Sequence, residues 1–167
     1  MDELIRDALT YNQVVLKPTT LHPVKLSKLL REMLETYPNL SPEKADIDLE
    51  SELPLVLGNE AMLTQCFANL LGNAVKFVPR GVRPHVQVRA EPINGMTRIW
   101  VEDNGIGIPQ HAQERLFRMF QRLTSEYEGT GIGLAIVRKV AERMGGKVGA
   151  ESEPGKGSRF WVELRTV

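Results

Sequence analysis

The chain has 167 residues, 42% of them hydrophobic, with 21 Lys plus Arg against 21 Asp plus Glu and one cysteine. That length supports one domain with a real core, burying about 70% of its unfolded surface. Balanced charge excludes a general pull toward nucleic acid or membrane, so any anion site is local, and the lone Cys66 excludes a disulfide framework or a multi-cysteine metal cluster.

The start, MDELIRD, is acidic and lacks the basic and apolar regions of a leader. No apolar run approaches the roughly 18 residues of a membrane span, so the expected location is cytoplasmic, without membrane contact. Met1, Leu4, Ala8, Tyr11 and Val15 follow a 3,4,3,4 spacing widened by Ile5, the pattern of a helix pairing with another helix. An amphipathic helix docked on its own domain reads the same way. Two heptads are too short to stand alone, so residues 1–16 are expected to be the tail of a longer coil. Residues 17–20 (KPTT) break the helix as a linker. Residues 26–37 are amphipathic again, with Ser27 a candidate N-cap and Pro38 ending the helix. Ile47 and Leu49 alternate with acids as in a half-exposed strand, and residues 55–57 form another short one.

Residues 60–78 (EAMLTQCFANLLGNAVKFV) organise the rest. Leu63, Phe67, Leu70, Ala74 and Phe77 recur at helical spacing and predict a buried face. Asn69, Asn73 and Lys76 fall within about 60° of one another on the adjoining face. Two amides and an ammonium there are costly if unpaired; a bound polyanion with its metal would satisfy them, and so would a solvated helix edge. After residues 79–84 close the helix, residues 85–92 and 97–102 alternate as strands, joined by the hairpin pair Asn94-Gly95. The segment 103–109, DNGIGIP, follows directly. Gly105 and Gly107 let a ligand approach the backbone, and Asp103 can accept a hydrogen bond from an exocyclic amine. A turn with a capping aspartate has the same residues.

Residues 113–120 predict a helix anchored by Leu116, Phe117 and Phe120. Residues 121–128 (QRLTSEYE) are polar and aperiodic, as in a mobile flap. Gly129-Thr130-Gly131-Ile132-Gly133 then opens a helix to about Met144, an anion cradle of exposed amides. No Gly-Lys-Ser/Thr follows, and GxGxG is not GxGxxG, so neither a phosphate loop of the P-loop kind nor a Rossmann fingerprint is present. Residues 147–151 and 158–164 are strands around a turn at 153–157, with Trp100 and Trp161 as packing or sheet-surface residues. The mixture predicts an α/β fold: a two-layer sandwich, with a mixed, mainly antiparallel sheet of about five strands and three main helices on one face.

In this order the segments resemble the catalytic, ATP-binding domain of sensor histidine kinases, in the GHKL superfamily. NLLGNAVKF (69–77) resembles the N box, DNGIGIP (103–109) the G1 box, residues 116–122 the F box, GTGIGL (129–134) the G2 box, and EPGKGSRF (153–160) the closing glycine turn and strand. The resemblance implies a catalytic domain over 17–167 and a stub of dimerisation helix over 1–16. It implies that Asp103 reads the adenine amino group, with Ser158 and a water assisting, and that Asn73 ligates Mg²⁺. Asn69 and Lys76 would hold metal and phosphates, Phe77 would pack near the base, and amides from Thr130, Gly131, Ile132, Gly133 and Leu134 would cap the phosphates. Gly105, Gly107, Ile108 and Phe120 complete the implied binding set, and Arg122 is the candidate partner of the γ-phosphate. Residues 121–128 would be the ATP lid, short for the family, and Met119 stands where a proline is common.

ATP-hydrolysing branches of the superfamily carry Glu four residues before the metal asparagine. Here that position is Asn69, which cannot take a proton. The resemblance therefore implies phosphate transfer to a histidine on a dimerisation hairpin, with a response regulator further downstream. His22, His85 and His111 precede Pro, Val and Ala rather than an acid, so the acceptor is expected on a portion absent from this sequence. Two other functions share these boxes: a nucleotide-gated interaction module without transfer, and a serine kinase of the anti-sigma-factor type.

Overall fold

In the computed structural model, which describes residues 2–122, 127 and 129–167, alternating strands form one sheet and helical stripes cover one of its faces. The elements are α1 (Asp2–Leu16), β1 (His22–Lys25), α2 (Leu26–Thr36), β2 (Asp46–Leu49), β3 (Leu55–Gly58), α3 (Glu60–Lys76), β4 (His85–Ile93), β5 (Met96–Asp103), α4 (Gln110–Gln113), α5 (Gly133–Arg143), β6 (Lys147–Ser152) and β7 (Ser158–Thr166). The sheet has seven strands in the order β1-β3-β7-β5-β4-β2, with β6 also on β7. Among the described residues, only β2 and β4 pair in parallel. This is the expected two-layer sandwich with a larger sheet. Pro23 hides β1 from the alternation pattern, yet is tolerated there because β1 is an edge paired only with β3.

Asn94 at φ 47° and Gly95 at φ 79° make the β4–β5 hairpin, whose register pairs Ile93 with Met96 and Val86 with Asp103. The alternation carries Val86, Val88, Ile99, Val101, Val162 and Leu164 into the core. Against them lies α3, capped by the Asn59 side chain, which accepts the Met62 amide at 3.1 Å. Leu63, Phe67, Leu70 and Ala74 are buried as the spacing predicts. Phe77 is not part of that stripe. It caps the helix with φ −88° and ψ 57°, and its half-buried ring leaves the core.

Two local expectations fail for physical reasons. Ser27 lies inside α2, whose N-cap is Lys25; the Ser27 hydroxyl accepts the Leu53 amide at 2.9 Å, a tertiary bond that outcompetes capping. No helix spans 113–120: the single turn of α4 ends at Gln113, and i→i+3 turns follow it through Arg118. The chain then bends at Phe120, whose φ of 63° no helix accommodates.

α1 docks on its own domain. Val14 is in the core, 4% exposed, Ala8 and Tyr11 pack beside it, and α5 is the neighbouring helix. Leu4 stays exposed near the start of the helix, and Ile5, Leu9 and Leu16 stay exposed on a stripe that faces away from Val14. Trp100 and Trp161 are cross-strand partners on the sheet face away from the helices, interleaved with Arg89, Arg98 and Arg159 at 3.9–5.5 Å. Among the described residues, no helix is long and apolar enough to cross a membrane.

Candidate functional site

The end of α3, the loop after β5 and the start of α5 enclose a cleft of about 880 Å³, open solvent at its mouth included. Its floor is set by the sheet. Asp103 ends β5 opposite Ser158, the first residue of β7. Asp103 Oδ1 accepts the amides of Gly105 at 2.8 Å and Ser158 at 3.1 Å. Burial pushes the Asp103 carboxyl up to about 6, and these two N–H donors only partly oppose that. The Ser158 hydroxyl is engaged with Ser152 at 2.7 Å, while Ser152 accepts the Ile108 amide at 2.7 Å.

The loop after β5 is clipped on both sides. The Ile106 amide donates to the Phe77 carbonyl at 2.9 Å, and the Ile106 carbonyl accepts the Gly155 amide at 2.9 Å. Gly107 sits at φ 75°, where an added Cβ would stand 2.1 Å from the Glu153 carbonyl oxygen; only glycine fits there. This clip binds the end of α3 to the β6–β7 turn and fixes Asp103 between them.

Across the cleft, α3 presents Asn69, Asn73 and Lys76 on one face, as the 100° geometry requires. Asn69 donates its amide to the Gln65 carbonyl at 2.9 Å, which leaves Oδ1 turned toward Gly133. Asn73 offers a hard, neutral oxygen of the kind that suits Mg²⁺, an ion that takes few protein ligands and completes its shell with phosphate and water. The donor set therefore fits magnesium held jointly with a nucleotide. Thr130, Gly131, Gly133 and Leu134 close the far wall, with the Thr130 hydroxyl accepting the Ile132 amide at 3.2 Å.

Most of the residues singled out in the sequence meet in this cleft: Asn69, Asn73, Lys76, Phe77, Asp103, Gly107, Ile108, Arg122, Thr130, Gly131, Gly133, Leu134 and Ser158. Three do not line it. Gly105 packs under the Phe77 carbonyl, Ile132 is wholly buried in the core, and the Phe120 ring is 63% exposed. Phe120 instead contributes backbone, its amide donating to the Gly131 carbonyl at 2.6 Å. Arg122 donates to the Tyr127 carbonyl at 2.7 Å. Of the expected lid, residues 123–126 and 128 lie outside the described residues.

Several lining residues escape a reading by motif. Tyr127 packs its ring 5.2 Å from Phe77 and donates its hydroxyl to the Val78 carbonyl at 2.9 Å. It lies in a stretch with no period to flag it. Glu3 and Asp7, from α1, also line the cleft, and Asp7 accepts the Thr130 hydroxyl at 2.7 Å. Their i, i+4 spacing is the only sequence signal, and it is common on solvated helices.

Residues 58–167 match the family described as histidine kinase-, DNA gyrase B-, and HSP90-like ATPase. The sensor histidine kinase AruS of Pseudomonas aeruginosa is 44% identical over 116 residues, 64% of this chain. The signal transduction histidine-protein kinase BarA of Escherichia coli is 31% identical over 173 residues, 96% of this chain. The chain spans only 11% and 19% of the length of these two curated relatives. Full-length ShkA, crystallised in complex with AMPPNP, superposes with a TM-score of 0.80 at 34% identity, covering 98% of this chain and 36% of that one. The clipped loop, the asparagine face of α3 and the matched stretch coincide, and the chain belongs to the histidine kinase-, DNA gyrase B- and HSP90-like ATPase family, as a catalytic ATP-binding domain of the sensor histidine kinase kind.

Proposed function

We propose that this domain binds Mg-ATP and delivers the γ-phosphoryl group to a histidine presented by a separate helical hairpin. The observation that carries this reading is Asp103: its Oδ1 is saturated by two backbone amides, which leaves Oδ2 to accept the exocyclic amine of adenine. A carboxylate there rejects a base with a carbonyl at that position, because two acceptors would face each other without a proton.

In this reading Phe77 and Tyr127 flank the base, and Lys76, Asn69 and the amides around Thr130 and Gly131 receive the phosphates. Asn73 would hold Mg²⁺, which supplies charge neutralisation on the phosphate oxygens. Arg122 would turn from the Tyr127 carbonyl to the terminal phosphate. An imidazole nitrogen of the acceptor forms the new P–N bond as the β–γ bridging oxygen leaves with ADP. Asn69 cannot deprotonate water, which supports transfer over hydrolysis. Residues 1–16 would be the end of the dimerisation helix, with Ile5, Leu9 and Leu16 as the stripe facing the hairpin; this reading is supported by their exposure.

The test is thermal stability with Mg-ATP, Mg-GTP and EDTA, followed by transfer from labelled ATP to a hairpin added in trans. Binding at 100 times Kd adds about 2.7 kcal/mol, so Mg-ATP alone should raise Tm in the wild type. Asp103→Asn should lose that increment and gain response to GTP, since its amide now donates. Label on the hairpin should be acid-labile, as phosphohistidine is; acid-stable label would indicate the serine kinase reading. Nucleotide binding with no transfer to a matched hairpin would leave a nucleotide-gated interaction module.

A further inference from the structure

The helix α1 is fastened to the domain at two points. At its C-terminal end the Arg143 guanidinium, from the last residue of α5, donates to the carbonyls of Val15 and Lys17 and to the Thr19 hydroxyl at 2.6 Å. A cation on the orphan carbonyls of a helix C-terminus is a favourable cap. A little over two turns back along the helix, Asp7 Oδ2 accepts the Thr130 hydroxyl at 2.7 Å. That hydroxyl belongs to the loop that opens α5, the wall of the cleft opposite the asparagines of α3.

The electrostatics of this second fastening are opposed to the cleft's expected occupant. Glu3 and Asp7 lie one turn apart and both line the cleft, Asp7 directly on the Thr130 hydroxyl, at the end where phosphates would be received. A triphosphate at that end meets carboxylates of its own sign, the half-buried Asp7 and, one turn away, the exposed Glu3. It also competes for the hydroxyl that Asp7 holds. Arg143 lies outside the cleft and takes no part in that competition.

We propose that α1 is a latch whose docking and whose release are set by the nucleotide: Asp7 on Thr130 and the phosphates of a nucleoside triphosphate exclude one another. Linkage then makes the effect reciprocal. Whatever factor docked α1 removes from ATP affinity, bound ATP removes from α1 docking. ADP, with one phosphate fewer, is opposed less. The inference rests on the ATP-binding reading of the cleft.

The experiment uses the whole chain. Mg-ATP and Mg-ADP affinities are measured by calorimetry for wild type, Asp7→Asn and Arg143→Met, and hydrogen exchange across residues 2–16 is followed with and without saturating Mg-ATP. Asp7→Asn removes charge but keeps size; Arg143→Met loosens the distal end and leaves the cleft intact. Both variants should bind Mg-ATP about three- to tenfold more tightly, with a smaller gain for ADP, in line with typical site-to-site coupling. In the wild type, Mg-ATP should speed exchange in α1 while slowing it in α3 and α5. Affinities within twofold of wild type for both variants, or α1 exchange that ATP slows, overturn the latch. Weaker ATP binding by Asp7→Asn also overturns it, since Asp7 would then be assisting the bound metal. If the wild type binds no nucleotide, the ATP reading itself fails and the latch falls with it. The exchange measurement requires no variant to fold.

Discussion

Gly133 and Asn69 touch across the cleft: a Cβ placed at Gly133 would stand 2.6 Å from the Asn69 side-chain oxygen. Gly133 opens α5 and Asn69 belongs to α3, so the absence of one side chain sets the separation of the two walls. Gly133→Ala should be nearly neutral for stability. Alanine favours a helix by up to about 1 kcal/mol over glycine, and the obstructing atom is the free end of a side chain that can rotate away. Rotation breaks the Asn69 bond to the Gln65 carbonyl and moves its oxygen out of position. Expected are a Tm within a few degrees of wild type and Mg-ATP affinity reduced about tenfold. Loss of Tm and affinity together would show the contact to be structural instead.

Asp103 gives two pH dependences of opposite sign. Burial holds its carboxyl at about 6 in the folded chain, above the ordinary 3.8. The folded state therefore binds this proton more tightly than the unfolded state. Its contribution to stability is fully present in acid below 3.8 and is lost as pH rises through 6, up to about 3 kcal/mol in all. Adenine binding runs the other way, because the amine needs the carboxylate. From pH 5 to 7.5 the free protein should lose stability from this group while the increment from excess adenosine grows. Adenosine is the useful probe since it carries no phosphate to titrate in that range. Asp103→Asn should abolish both trends. An adenosine increment equal at pH 5 and 7.5 in the wild type would exclude Asp103 as the reader of the amine.

The elements most legible in the sequence are those fixed by local geometry. Asn94-Gly95 specified its hairpin because both residues tolerate positive φ, and the stripe of α3 specified its burial because 3.6 residues per turn leave no other face for Leu63, Phe67 and Leu70. The glycine segments were legible in order, and the fold brings them to one cleft. What was hidden depended on partners far along the chain. Ser27 serves Leu53, the turns after α4 replace a helix because the chain must bring Phe120 back to Gly131, and Asp7 reaches Thr130 over 123 residues. Spacing within one segment carries no information about such pairs.

On the far face of the sheet, Arg98 and Glu163 form a pair from β5 and β7, with Arg98 Nη2 2.7 Å from Glu163 Oε1. Glu163 is only 8% exposed, and the guanidinium also lies 3.9 Å from the centre of the Trp161 ring. Arg98→Ala strands a carboxylate among tryptophans and should cost about 2–3 kcal/mol in urea unfolding. Adding Glu163→Gln removes the stranded charge and should restore at least half of that loss. Arg98→Lys should cost about 1 kcal/mol, since an ammonium keeps the charge but loses the planar stack. The pleat points these side chains away from Asp103, so Mg-ATP affinity should stay within twofold throughout. Additive losses in the double variant would show that the pair does not act as one.

Cys66 reports on the same helix from inside the core. It is fully buried on α3, one turn before Leu70, and burial pushes its thiol up to about 12. At pH 8 neither thiolate nor access is available in the folded chain, so alkylation must wait for an opening of the structure. Iodoacetamide should label the native protein at least about a thousandfold more slowly than the urea-unfolded one. If that opening is global, Mg-ATP at 100 times Kd stabilises the closed state by about 2.7 kcal/mol and should slow labelling roughly a further hundredfold. Local fraying of α3 that exposes Cys66 also disperses Asn69 and Asn73, so ATP should protect in that case too, and through the same residues. Asn73→Ala should then remove most of the protection while leaving the nucleotide-free labelling rate almost unchanged. Labelling that is fast in the native state, or indifferent to nucleotide in a protein that binds it, would mean that α3 opens at Cys66 without disturbing the cleft.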